Sequence, residues 1–530
     1  MVSHRRLLGF VGACVVACGI VAVPLSTRAD DDNPPPPHHK QPKSLQQRII
    51  EAEAGIQDAA SRPQGPQAFV GPDLSEQEKA EQVLNRMTFG ATPGQVEEVI
   101  AKGGWQAWAK EQLDPQKIDD SACDKEMARR FPWIKMPILD IKKAYADRKD
   151  DKDKSEPSMR KLLPQLVLSR QVLSKRQFKE VMCEFWRNHF CVDEPAPNEE
   201  KSRTWTDADY EEQVIRKYCF GSFKDMLFAS ARHPAMLEYL DNKLSKANAW
   251  NENYAREVME LHTLGADQGY SNRDVQELSK VFTGWQYDAN YRFYFNAKEH
   301  QPGPKHWEGM TIPQGYEGGE QALYTLATAP RTARFISTKL CKFLMNDSPS
   351  PALVRQVALV FRQTDGDLPK VYWAIISSRD FMSRLNYRAK FKTPVFFTVS
   401  ALRATSAKLD SAAETCDRIA KMGEAIYNCP DPTGYRDVAE SWMDAGVLTS
   451  RWQFSWDLMA GSVEGVKVPA TFLARYKSLN SEAAEAKMIE DLIGGDVGDR
   501  ELVALKEVAG QGDQPRMVSI ILGSPSFQQR

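Results

Sequence analysis

Fifteen residues, NENYAREVMELHTLG from Asn251 to Gly265, hold three carboxylates, an arginine and a histidine. Carboxylates and an imidazole at close spacing can move protons or ligate a divalent cation, so chemistry is sought here first. On an α-helix each residue advances by about 100°, which puts Asn253, Glu257 and Glu260 on one face and Tyr254, Val258 and Leu261 on the apolar stripe beside it. Glu252, Arg256 and Glu260 recur at the i, i+4, i+8 spacing of a surface ion-pair ladder. The ladder leaves out Glu257, nearer the buried edge, and His262, about 140° further around the helix. Glu257 and His262 are therefore the candidate catalytic residues, with Asn253 and Arg256 as candidate binding residues. Glu257 and His262 cannot chelate one ion as an HExxH helix does, so a metal would need ligands from elsewhere in the chain.

Such ligands are present. In CEFWRNHF, Met182, Trp186 and His189 fall on one stripe that turns His189 inward, next to Asn188. His233 precedes Pro234 and reads as a helix cap, while Asp241 ends the same helix against the dipole, which hints at another task. His300 and His306 lie in an aromatic, Gly/Pro-rich stretch. His189, Asp241 and His300 are the candidate ligands for a divalent metal, and Asn188 and Trp285 are candidate binding side chains. Trp105, Trp108, Trp285 and Trp307 suit either a carbohydrate site or core packing. There is no GxGxxG, P-loop or GxSxG, and SMRK at Ser158 fits SxxK without the SDN or KTG that would accompany it.

The elements that must position these residues are helices. SEQEKAEQVLNRM opens with a capping box, Ser75 with Glu78, and ATPGQVEEV repeats the logic with Thr92 as cap, Pro93 first in the helix and Gln95 closing the box. Helices are legible over Pro234–Asp241, Asn253–Leu264, Ser271–Trp285, Arg331–Met345, Pro351–Arg362 and Leu368–Ser377, joined by short connections. YRFYFNAKEHQPGPKHWEG alternates and then turns, which predicts a small β-hairpin or flap near 291–309. The charged run KKAYADRKDDKDKSEPSMRK reads as a solvated loop. The expected fold is mainly α: an array of helical hairpins over 74–405, the flap, and a smaller helical C-terminal subdomain over 406–530.

Ahead of that, Met1–Ala29 has a basic start, an apolar run and a small residue before Asp30, the layout of a secretory signal peptide. VVAC ending at Cys18 is the alternative, a lipoprotein tether, and Arg5–Arg6 leaves the twin-arginine route open beside the general one. Residues 30–73 include DDDNPPPPHHKQPK, a polar, proline-rich linker that cannot pack a core. No later stretch is apolar and long enough for a membrane span. Without the leader the balance is 66 basic to 71 acidic side chains, which gives no footprint for nucleic acid. Seven of the nine cysteines follow the leader, so at least one is unpaired; Cys416 and Cys429 are the nearest pair in the C-terminal part.

Several motifs together resemble a bacterial family called domain of unknown function 1800. They are LNRMTFGATPGQVEEV, FWRNHF, HPAMLEYLDN, the long block from Asn251 through VFTGW, GPKHWEG and the ending LGSPSFQQR. The resemblance runs from about Leu74 to the C-terminus. It implies an exported, largely helical protein, often encoded beside a second exported family that looks like the sulfatase and alkaline-phosphatase fold. One position departs: where the family commonly shows His-Asp in the flap, this chain has His300–Gln301. The functional expectation is a cell-envelope or extracellular hydrolase with an acid–base or metal-assisted site. The alternative is a non-catalytic binding or assembly protein that works with the exported sulfatase-like partner.

Overall fold

The computed structural model describes residues 73–145, 158–192, 204–266, 268–495, 497–498, 501–503, 505, 507 and 513–530. The leader, the linker up to Pro72 and the middle of the charged run lie outside them; Lys142–Tyr145, expected in a loop, end the helix Ile138–Tyr145 instead. Helices carry most of the described chain, and the only sheets among the described residues are three antiparallel pairs of short strands. The mainly α reading with small hairpins therefore holds. The expected flap is two hairpins in succession, Trp285–Tyr287 with Phe293–Phe295 and Lys305–Trp307 with Met310–Ile312. None of the described helices is long and apolar enough to cross a membrane.

Ser75 and Glu78 form both halves of the predicted capping box. At the next helix the cap is Gly94, in the left-handed conformation, and Thr92 lies two residues outside it. Gln95 still reaches back to accept from the Thr92 backbone N–H at 3.0 Å, so half of the predicted box survives.

The helix Pro394–Ala404 is buried at every position, as an element that is apolar all round must be. Against it pack the helices Met159–Leu173 and Ala445–Ala460 and, at one end, the loop from Glu424. Gln177–His189 buries Phe178, Val181, Met182, Phe185, Trp186 and His189 along one stripe, which leaves Glu184 and Asn188 at its partly open edge. The helix pair Pro330–Leu344 and Pro351–Gln363 packs as an antiparallel hairpin beyond it. The last residues return to the same region: Lys390 and Arg530 exchange both backbone hydrogen bonds, and Lys392 N donates to Gln528 O at 2.8 Å.

The predicted helix at Asn253–Leu264 is α-helical only to Glu257; Val258–Thr263 is a π-helical turn. The i→i+5 bond from Leu264 N to Met259 O is 2.8 Å, and Thr263 Oγ1 donates to Val258 O at 2.5 Å. The 100° wheel therefore fails beyond Glu257. A second π turn, Glu211–Ile215, interrupts the helix that starts at Thr204.

Trp285 is fully buried against Phe282, Phe293 and Tyr316, so its place is the core that joins the first hairpin to the helix Tyr316–Thr328. Gly319 on that helix lets the indole ring approach, since a Cβ there would sit inside the ring's van der Waals surface. Gly319→Ala is expected to destabilise the fold by about 1–3 kcal/mol despite alanine's better helix propensity, measured as a lower urea midpoint with unchanged slope.

Candidate functional site

Arg187 organises the C-terminal end of the Gln177–His189 helix. Its guanidinium meets Glu211 with two hydrogen bonds, Nε to Oε2 at 3.0 Å and Nη2 to Oε1 at 2.9 Å, and meets Glu184 through Nη1 at 2.6 Å. Glu211 is fully buried on its π turn. Burial would raise its carboxyl, but the Arg187 charge and hydrogen bonds, with Arg216 and Tyr427 behind them, hold it at about 2. Tyr427 donates its hydroxyl to Glu211 Oε2 at 2.6 Å, and Arg187 lies over its ring. Around this centre Arg216 pairs with Glu180 at 2.6 Å, and Gln171 donates to Glu184 Oε2 at 2.7 Å.

Asn188 ties the helix end to the C-terminal loop in both directions. Its Nδ2 donates to Tyr435 O at 2.9 Å, and Tyr435 N donates back to its Oδ1 at 2.7 Å. Gly434, at φ +74°, makes this contact because any Cβ would collide with the Asn188 carbonyl. Asn188 is thus a clamp between two segments far apart in sequence.

Between helix end and loop lies a small cleft lined by Glu184, Arg187, Cys191, Glu424, Tyr427 and Cys429 among others. Glu424 accepts from Val395 N at 2.7 Å, at the first turn of the fully buried helix. Burial, then the nearby Glu184 charge, pushes its carboxyl up to about 8, more than the Val395 and Thr393 hydrogen bonds and Arg451 can offset. The lining therefore holds one carboxyl that burial keeps protonated at pH 7, Glu424, and another, Glu184, that pairs with Arg187 at 2.6 Å.

Of the residues singled out in the sequence, two meet. His189 and His262 are both buried, their ring centroids 6.2 Å apart. His189 Nε2 donates to the His262 carbonyl at 3.1 Å, and Nδ1 accepts from Lys339 Nζ at 2.9 Å, which assigns the neutral Nε2–H tautomer. Burial, then the Lys339 charge, lowers His189 well below the usual imidazole range and His262 to about 3. Burial likewise brings Lys339 down to about 8 against the pull of Asp437 and Cys191.

The others stand apart from that pair. Glu257 is half-buried and outside the cleft lining; burial, then Glu260, raises its carboxyl, Arg256 lowers it and Asp431 raises it further. The expected ladder has one rung, Arg256 to Glu252 at 3.0 Å, because the helix widens at Val258 and carries Glu260 away from Arg256. Asn253 is exposed, and its backbone N–H donates to Asn251 Oδ1 at 2.8 Å. Asp241 occupies a left-handed turn just after its helix, at φ 55°. His300 Nδ1 binds the Thr283 carbonyl at 2.9 Å, and its Nε2 accepts from Lys305 and from Gly315 N. His233 is the cap its sequence suggested, accepting from Ala235 N at 3.2 Å and pairing with Asp209. Among the described residues no group of three or more His, Cys, Asp or Glu is placed to hold a metal ion. Cys416 and Cys429 are not joined by a disulfide, which corrects the suggested pairing: Cys416 sits on the helix Ala413–Lys421, and Cys429 faces the cleft with its Sγ donating to Asp431 O at 3.4 Å.

Sequence reasoning passed over Glu184, Arg187, Glu211, Lys339, Glu424 and Tyr427. Glu184 and Arg187 lie inside the motif CEFWRNHF that marked Asn188 and His189. Glu211 sits in the acidic run DADYEEQ, and Glu424 just before turn-rich YNCPDPTGY; no spacing relates either to Arg187.

The buried neutral histidines give a pH prediction. A folded pKa of about 3 for His262 lies below the unfolded value near 6.5, so the unfolded chain binds more protons between them and stability falls as pH drops through that window. His262→Gln removes one such proton. Urea titrations from pH 6 to 4 are expected to show its stability falling less steeply than that of the parent, by up to about 1.4 kcal/mol per pH unit.

Residues 82–529 match the model of a family described as "Protein of unknown function (DUF1800)". No curated protein and no solved structure matches the chain. Since the match takes in nearly the whole chain, including the helix end, both π turns and the cleft loop, the protein belongs to the DUF1800 family.

Proposed function

We propose that the chain is an exported hydrolase that works by general acid–base catalysis in the cleft between Glu184 and Glu424. Export is supported by the leader-like Met1–Ala29. Catalysis is supported by one observation, two glutamates in contrasting surroundings lining a single cleft, Glu424 buried against backbone donors and Glu184 paired with Arg187. Glu424 donates its proton to the leaving-group oxygen of the scissile bond, while Glu184 accepts one from the attacking water; unequal carboxyls are what such hydrolysis requires. Arg187 steadies Glu184 and the negative charge that builds up beside it. The reading moves the acid–base roles from Glu257 and His262 to Glu184 and Glu424, because neither Glu257 nor His262 lines the cleft.

The test has a substrate-free arm and a kinetic arm. Carbon-13 NMR of glutamate carboxyls, assigned by Glu424→Gln, is expected to show one titration near pH 8. Turnover of a panel of nitrophenyl esters and glycosides is expected to decline above about pH 8 as Glu424 ionises, and to fall at least about 100-fold in Glu424→Gln with near-UV circular dichroism unchanged. Absence of turnover across the panel, or equal turnover in the variant, refutes the proposal.

A second reading, docking onto an exported sulfatase-like partner, is supported by an exposed apolar patch. Trp452 and Trp456 are 58% and 51% exposed one helical turn apart, with Met443 54% exposed nearby in sequence. In that case Trp452→Ala with Trp456→Ala weakens co-purification of the partner, while Glu424→Gln leaves it unchanged.

A further inference from the structure

We propose that Cys183 and Cys219 form a disulfide when the chain folds under oxidising conditions. Their sulfurs lie 3.6 Å apart, and both residues are fully buried. A disulfide has an S–S length of about 2.05 Å, so the two sulfurs must close by about 1.5 Å. The backbones on either side are already held together. Arg216, three residues before Cys219, pairs with Glu180, three residues before Cys183, through hydrogen bonds of 2.6 and 2.8 Å. The same guanidinium lies 3.8 Å from Cys183 Sγ, and Tyr372 donates to the Cys219 carbonyl at 2.8 Å. The contact is thus fixed by groups other than the sulfurs. Burial raises the Cys183 thiol well above its ordinary value, as it pushes Cys123 and Cys341 up to about 12, so oxidation must precede burial.

The oxidant is a small-molecule or protein disulfide, and it acts while the segment is still open to solvent. One cysteine thiolate attacks the oxidant's disulfide, forming a mixed disulfide and releasing one thiol. The second cysteine thiolate then displaces the other half. One protein S–S bond forms, one oxidant S–S bond breaks, and the two cysteine protons end on the two released thiols. The product staples the helix that carries Glu184, Arg187 and Asn188 to the segment that follows Glu211, so the crosslink braces both ends of the central ion pair. It holds whether or not the cleft is catalytic.

The experiment refolds the reduced full chain in a glutathione redox buffer, alkylates it under denaturing conditions and maps the peptides by mass spectrometry. Of the nine cysteines, seven are expected to be alkylated, with Cys183 and Cys219 recovered in one linked peptide pair. Reduction is expected to lower the thermal midpoint of the parent by a few degrees and to leave Cys183→Ala and Cys219→Ala unchanged. Nine alkylated cysteines in refolded parent protein, or a linkage between other cysteines such as Cys191 and Cys429 with Cys183 and Cys219 free, overturns the proposal.

Discussion

The buried pair between Arg187 and Glu211 is the constraint on which the rest of the site depends. Two charges taken out of water carry a desolvation penalty of several kcal/mol each, and a bidentate geometry with every remaining donor and acceptor engaged is what offsets it. Glu211 achieves this with Arg187 on one side and Tyr427 on the other. Three segments far apart in the chain must therefore arrive together: the helix Gln177–His189, the π turn Glu211–Ile215 and the loop around Tyr427. A single partner lost from such a pair leaves a bare charge in the core, which costs about 3–5 kcal/mol and explains why so many neighbours are recruited to satisfy it.

From that pair the cleft follows. Arg187 holds Glu184 in the lining, and the loop that brings Tyr427 also brings Glu424 to it. Asn188 and Tyr435 lock the loop a second time, through a contact that Gly434 alone among residue types allows without strain. The Glu424 carboxyl is left where it cannot easily ionise, because it is buried, Glu184 lies nearby and its hydrogen-bond partners are a backbone N–H and a hydroxyl. The same logic operates around His189, where the Lys339 ammonium and two imidazoles share buried space and all three shift towards neutrality.

The π turns matter because each adds one residue to a helical turn and so rotates everything beyond it. In Asn251–Gly265 that extra residue turns what a wheel would show as one face into two. Arg256 keeps Glu252, Glu260 is carried away, and His262 goes into the core beside His189. Amphipathic spacing is a record of where apolar side chains fall, and one inserted residue is invisible to it when the flanking residues still alternate acceptably.

The sequence by itself determined the helical class, most helix positions, the hairpin segment and the family, since periodicity, caps and turn residues act over a few neighbours. It also determined that His189 points inward and that His233 is a cap. Tertiary structure decided which charged residues count: Glu257, Asp241 and His300 were chosen for local spacing and lie apart, whereas Glu211, Lys339 and Glu424 carry no local mark. The reason is physical. Burial and through-space charge set the state of an ionisable group, and both depend on segments as distant as Arg187 and Tyr427, which no pattern along the chain connects.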